Sequence, residues 1–296
     1  MSRPAADATD QGSERIAPRR AATEWQSVDD EIYQGFLSHY LYDRKPAAAE
    51  VVETIDAPDW SREKLNFDGV GDHRVIAYLY LPKRAQAPYQ CINYIVSATV
   101  FRGRTAAQEV EAILAPQIKA GRAVMVVVPK FALERDSPQP PPEDERGPVW
   151  LRNTVLLHVA EFRMGLDYLE TRKEIDMSRI AHIGFSWGAE GSALIFNAVD
   201  SRIRSSIFIG GGLYPSERLP EVNPVNFIPR ITGPVLVLTG KYDEEIPYEP
   251  DARALFEVLR APKQLELVES GHLPPVEIRN PIISGFLNET LGPVGH

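Results

Sequence analysis

Three residues of this 296-residue chain have the types and the spacing for acyl-transfer chemistry: Ser186, Asp243 and His272. A serine hydroxyl attacks a carbonyl carbon only when an imidazole takes its proton, and a carboxylate must hold that imidazole in the right tautomer. Ser186 lies in Gly184-Phe185-Ser186-Trp187-Gly188, between an apolar run, Ile180 to Phe185, and a helix-like segment, Ala189 to Val199. Strand, sharp turn and helix in that order lift the central side chain above the carboxyl edge of a sheet, and the flanking glycines leave room where a Cβ would collide. The pentapeptide alone is a weak signal, so its partners decide. Among six histidines, His39 and His73 precede the core strands, His158 falls in a helix, His182 lies in the strand before Ser186, and His296 is the last residue. His272, in Glu269-Ser270-Gly271-His272-Leu273-Pro274, follows the last strand-like run. The acid should come between serine and histidine, after another strand, and Asp243 is the first acid of the loop after Val235 to Thr239. Glu244 and Glu245 are the alternatives.

These side chains need strands that end on one edge of a sheet. Tyr89 to Ala98, Ala123 to Val128, Ile180 to Phe185, Ser205 to Ile209, Val235 to Thr239 and Gln264 to Val268 read as strands, several of them near-continuously apolar, as in strands buried on both faces. Helical patterns alternate with them at Ala106 to Ala120, Val149 to Thr171, Asp251 to Leu259 and Pro275 to Leu287. Such alternation means a parallel sheet with crossover helices. Before it, Glu63 to Asp68 and His73 to Leu81 alternate around Gly69-Val70-Gly71-Asp72 and predict an antiparallel hairpin. Trp25, Val28, Ile32, Phe36 and Leu37 have helical spacing, with Pro46 as the stop, and Ala47 to Ile55 reads as a short helical or extended piece. Residues 1 to 24 read as a disordered tail, and 25 to 296 as one domain with an N-terminal helical extension. Two long connections, Lys130 to Pro148 and Gly210 to Pro234, leave strand carboxyl ends, where open α/β sheets bind ligands. In the first of these, Lys130, Arg135 and Asp136 are solvated charges or contacts to a charged substrate.

Composition narrows the function. A formal charge of −9 without a basic block argues against a nucleic-acid or anionic-membrane surface. The lone Cys91 sits in an apolar strand and reads as an inert buried thiol. No apolar leader or membrane-length apolar run occurs, so a soluble, cytoplasmic protein is expected. There is no Cys/His cluster with metal spacing, no P-loop and no Gly-x-Gly-x-x-Gly, so neither metal nor cofactor is expected. The expected partner is a small-molecule substrate, and homodimerisation stays open.

The blocks Tyr42-Asp43-Arg44-Lys45-Pro46, Gly184-Phe185-Ser186-Trp187-Gly188, Val222-Asn223-Pro224-Val225-Asn226-Phe227-Ile228-Pro229-Arg230, Gly240-Lys241-Tyr242-Asp243 and Ser270-Gly271-His272 resemble bacterial dienelactone-hydrolase and acetyl-xylan-esterase-like hydrolases. They also resemble hydrolase modules joined to bacterial serine/threonine kinases. The resemblance implies an α/β-hydrolase fold, a mainly parallel twisted sheet with an N-terminal antiparallel hairpin and helices on both faces. It also implies Ser186, Asp243 and His272 as the triad. One departure stands out. Where such proteins carry a Gly-rich turn whose N–H helps to bind the oxyanion, this chain reads Ser97-Ala98-Thr99-Val100-Phe101. The N–H groups of Ala98 and Trp187 are the expected donors, with the hydroxyls of Ser97 or Thr99 as substitutes, and a missing donor costs roughly 100- to 1,000-fold in turnover. The expected activity is hydrolysis of an ester, thioester or activated amide of a small molecule through an acyl-enzyme on Ser186. The altered turn motivates an alternative, a natural-product tailoring enzyme using the same pocket for acyl transfer, cyclisation or carbon–carbon bond cleavage. A non-catalytic binding module is the third reading. Trp187 reads as pocket wall or core packing, and Glu190 as a charge suited to a helix N-terminus.

Overall fold

In the computed structural model, which describes residues 25–44, 49–71, 73–97, 103–135, 140–142, 145–215 and 218–295, the chain enters the sheet through alternating residues. In β2 (Trp60–Asp68) Leu65 and Phe67 face the core, and in β3 (Arg74–Pro82) Val75, Ala77 and Leu79 do the same. The two pair antiparallel from Asp68↔Arg74 to Trp60↔Pro82, as the alternation predicts. Of residues 47 to 55, those from Glu50 on take the extended of the two alternatives. From Glu50 to Asp56 they form an exposed edge strand, β1, antiparallel to β2, and its β-branched Val51, Val52, Thr54 and Ile55 explain that choice.

The strands that follow are apolar on both faces: β4 (Tyr89–Ile95), β5 (Ala123–Val127), β6 (Ile175–Phe185), β7 (Ile203–Ile209) and β8 (Val235–Gly240), with β9 (Lys263–Val268) as the far edge. The sheet order is β1-β2-β3-β5-β4-β6-β7-β8-β9, parallel from β5 onward. On one face α2 (Ala106–Lys119) and α6 (Val276–Leu291) cover Ile92, Val124 and Ile183. On the other, α3 (Pro148–Glu170) and α4 (Gly191–Val199) cover Cys91, Ile95 and Met125. Burial pushes the Cys91 thiol up to about 12, which keeps it unreactive. No helix among the described residues is long and apolar enough to cross a membrane.

The N-terminal helix α1 (Asp30–Leu37) is shorter than its spacing predicts, and one 3-10 turn extends it to Tyr40. Asp29 caps it by accepting from the Ile32 N–H at 2.9 Å. Tyr33 and Tyr40 each meet the edge of Phe227 at 5.4 Å between ring centroids. Asn226 Oδ1 accepts from the Val28 N–H at 3.0 Å, and Arg230 donates to the Val28 carbonyl at 2.8 Å and lies over the Tyr33 ring. The block from Val222 to Arg230 therefore anchors the N-terminal extension. Tyr42 and Arg44 do the same further along, bonding Asp167 and Glu170 of α3. Residues 1 to 24 and the Pro46 stop lie outside the described residues.

Arg135 is not a surface charge. Its guanidinium is buried against Glu161 of α3 at 2.6 and 3.0 Å and also donates to the Val128 carbonyl at 2.6 Å. This pair ties the start of the 130–148 connection to the body of the fold. Breaking a buried pair strands the other charge, so Glu161→Ala should lower the unfolding free energy by about 3–5 kcal/mol. Denaturant titration would read this as a lower midpoint, and replacing both residues with apolar ones of similar volume should be milder.

Candidate active site

The elbow depends on close backbone contact. β6 ends at Phe185, and Ser186 turns with φ of 55°, a strained left-handed conformation for a residue with a Cβ. A Cβ on Gly184 would fall on the Gly188 carbonyl, and one on Gly188 on the carbonyl of Ile95, the last residue of β4. The glycines thus let the turn lie against the neighbouring strand. In-register pairing of Phe185 with Ile209 and of Ile209 with Leu238 then aligns the strand ends, so the loops after β6, β7 and β8 meet on one edge.

The loops after β8 and β9 are joined to each other. Lys241 N–H donates to the Val268 carbonyl at 2.8 Å and Tyr242 N–H to that of Ser270 at 2.9 Å, and a Cβ on Gly240 would strike the backbone of Ser270 and Gly271. Asp243 is buried there. Its Oδ1 accepts the N–H groups of Glu245 and Ile246, each at 2.9 Å, while Oδ2 lies 2.8 Å from His272 Nδ1. Gly210, with φ of 55°, leaves space for the imidazole, since a Cβ would stand about 3 Å from its ring. The Phe185 ring packs on His272 at 5.1 Å. Ser186, Asp243 and His272 are thus gathered at one edge, with Nε2 of His272 left without a hydrogen-bond partner and Glu245 Oε2 3.6 Å from it. Of the three candidate acids, Asp243 holds Nδ1.

Burial lowers the His272 pKa, but the hydrogen bond and charge of Asp243, with Glu245 and Glu190 further off, outweigh it and leave the imidazole above its ordinary value. A raised histidine pKa adds folding stability below the unfolded value, near 6.5, and that stability is lost as pH rises through the folded value. The proton-accepting form exists only above the folded value. Stability and readiness for chemistry therefore run in opposite directions with pH. His182 and His158 stay neutral, since burial pushes them down to about 3 and about 4.

Ser97 does not face the elbow as a free donor. Its N–H donates to Glu109 Oε1 at 2.6 Å and its hydroxyl to Oε2 at 3.2 Å, beside the Tyr94 hydroxyl at 2.8 Å. Burial, partly offset by these bonds, raises the Glu109 carboxyl to about 7. That corrects the expectation of Ser97 as an oxyanion substitute, because its donors are taken. The signal was in the sequence, as a lone acid on the buried stripe of α2 with Ala106, Val110 and Ile113. Ala98 and Thr99 lie outside the described residues. Trp187 is the second residue of the helical turn after the strand, where a backbone N–H lacks an acceptor within the turn.

Glu190 differs from a simple helix-end charge. Burial raises it to about 7, and the Tyr214 hydroxyl donates to it at 2.6 Å. With Trp187 it walls a chamber beside the elbow. Among the described residues, no group of three or more His, Cys, Asp or Glu side chains is placed to hold a metal ion.

The model of the dienelactone hydrolase family matches residues 75–268, a span that contains the elbow, Asp243 and the strand before His272. The chain belongs to the dienelactone hydrolase family. Family membership agrees with the nine-stranded α/β-hydrolase architecture described above. Acetyl xylan esterase 1 from Thermoanaerobacterium sp. JW/SL YS485 has a similar structure, with a TM-score of 0.63 at 17% identity over 88% of this chain and 93% of that one. Acetyl xylan esterase from Paenibacillus sp. R4 gives 0.61 at 18% over 88% and 94%. The glucuronoyl esterase from Solibacter usitatus gives 0.59 at 15% over 92% and 94%. At these identities the likeness is one of fold. A comparison with curated proteins finds no match.

The contact at Nδ1 separates Asp243 from its acidic neighbours. Asp243→Asn keeps the shape but favours the wrong tautomer, and should lower turnover by about 10⁴. Glu244→Gln, with no contact to the imidazole, should stay within a few-fold. Rates on one ester, with unfolding temperatures for each variant, check this.

Proposed function

We propose that this protein is a serine esterase that cleaves a small-molecule ester through an acyl-enzyme on Ser186, with thioesters and activated amides in the same class. The observation that carries the reading is the 2.8 Å contact of Asp243 Oδ2 with His272 Nδ1 beside the strained elbow. Asp243 keeps Nδ1 protonated, so Nε2 presents its lone pair. His272 takes the Ser186 proton as Oγ attacks the carbonyl carbon, then gives it to the leaving alcohol as the tetrahedral intermediate collapses. Water repeats the sequence on the acyl-enzyme. The oxyanion receives the N–H of Trp187 and, by its place after Ser97 in the sequence, that of Ala98.

The engagement of Ser97 by Glu109 favours a second reading on the same residues. With fewer donors for an oxyanion, the pocket would serve acyl transfer to another nucleophile, cyclisation or carbon–carbon bond cleavage. Fluorophosphonate labelling beside a panel of acyl esters separates the two. Labelling with ester turnover supports the esterase, and labelling without turnover supports the second reading.

Ser186→Ala should abolish both labelling and turnover while unfolding near the wild-type temperature, because the lost hydroxyl fills little core volume. Wild-type rates in that variant would remove Ser186 as nucleophile. For the wild type, kcat/KM should fall on the acid side with an apparent pKa above the ordinary 6.5 of an imidazole. A flat profile over roughly pH 5 to 8 would remove His272 as the base.

A further inference from the structure

Beside the elbow lies a chamber of about 590 Å³ that neither Ser186 nor His272 lines. It runs from Trp187 and Glu190 to the 130–148 connection, and its volume falls within the roughly 300–1,000 Å³ of small-molecule sites. We propose that it receives an aromatic ring carrying an anionic group, as the part of the substrate flanking the scissile ester. This rests on the esterase reading above.

The walls favour a flat ring. Phe131 and Trp150 lie 5.7 Å apart at their centroids, and His158 meets the Trp187 ring edge-on at 5.3 Å. Offset and edge-on contacts of this kind recognise aromatic faces. Charge points to the anion. In a chain of net −9, the described residues of the chamber wall include the cations Lys130 and Arg146, besides Arg218, which interacts with the one acid among them, Glu190. That acid is buried, bonded to Tyr214 and raised to about 7, which reduces its charge near neutral pH. Lys130 lies over the Phe131 ring at 5.5 Å. Arg146 lies over Trp150 at 5.5 Å and donates to the Pro141 carbonyl at 2.6 Å. Neither makes an ion pair with a carboxylate among the described residues. A ring entering beside these aromatic planes brings its anionic group to both cations, and guanidinium binds carboxylate through paired donors.

His158 Nε2 lies 2.9 Å from the Lys130 carbonyl, which ties the backbone at Lys130 to α3 at the chamber wall.

The test uses Ser186→Ala protein, which holds an ester without cleaving it, and reads binding by calorimetry. The probes are 4-acetoxybenzoate, its neutral methyl ester and an acetylated xylose. The anionic aryl ester should bind at least about ten-fold tighter than the methyl ester at low salt, with an advantage that shrinks as salt rises. In Lys130→Gln/Arg146→Gln, two changes to polar wall positions, the advantage should fall to within about two-fold. Trp150→Leu should weaken both aryl probes. Equal binding of the two aryl esters, tighter binding of the sugar ester, an advantage untouched by the double variant, or no binding at all would overturn the proposal. The esterase reading fails separately, through absent fluorophosphonate labelling and absent turnover of 4-nitrophenyl acetate by the wild type.

Discussion

The two oxygens of Asp243 hold different parts of the site. One accepts the N–H groups of Glu245 and Ile246 and so fixes the loop after β8, and the other orients the His272 imidazole. Because the same carboxylate sets both, the loop cannot drift without moving the imidazole. Glu245 rides on that loop, which brings a second carboxylate towards the other ring nitrogen at 3.6 Å. The histidine is held between two acids of unequal character, one buried and bonded, the other more than half exposed. The buried one decides the tautomer, since exposed charges are screened by solvent.

Close backbone approach is the second constraint. Gly184 and Gly188 admit the elbow against β4, Gly210 admits His272, and Gly240 admits the loop after β9. Each lies at a strand end on the same edge, so the site is assembled as much by the absence of Cβ atoms as by the side chains of Ser186, Asp243 and His272. A parallel sheet makes this economical in sequence, because adjacent strands end together and only short segments need special residues.

Much of this was legible in the chain itself. Strands from β4 to β8 are apolar on both faces, a pattern that only a covered parallel sheet satisfies. The order Ser186, Asp243, His272 placed the three residues after β6, β8 and β9 in turn. What the sequence hid were long-range pairings. Arg135 looked like a loop charge because its partner, Glu161, lies 26 positions away on a helix. Ser97 looked free because the acid on the apolar stripe of α2, Glu109, names no partner until the helix is docked. β1 was ambiguous because an exposed edge strand lacks the one-sided burial that gives alternation its meaning.

The segment from Leu213 to Arg230 joins two regions that do not touch each other in sequence. At one end Tyr214 bonds Glu190 and Arg218 lines the chamber, and at the other Asn226 and Arg230 hold the residues around α1. Between them Glu221 is bonded through its carboxylate to Arg152 of α3 and through its carbonyl to the Tyr40 hydroxyl. The N-terminal extension thus braces the segment that carries Arg218 of the chamber wall. Changes at residues 28 to 40 would therefore reach the chamber wall through this segment, with Ser186, Asp243 and His272 left in place.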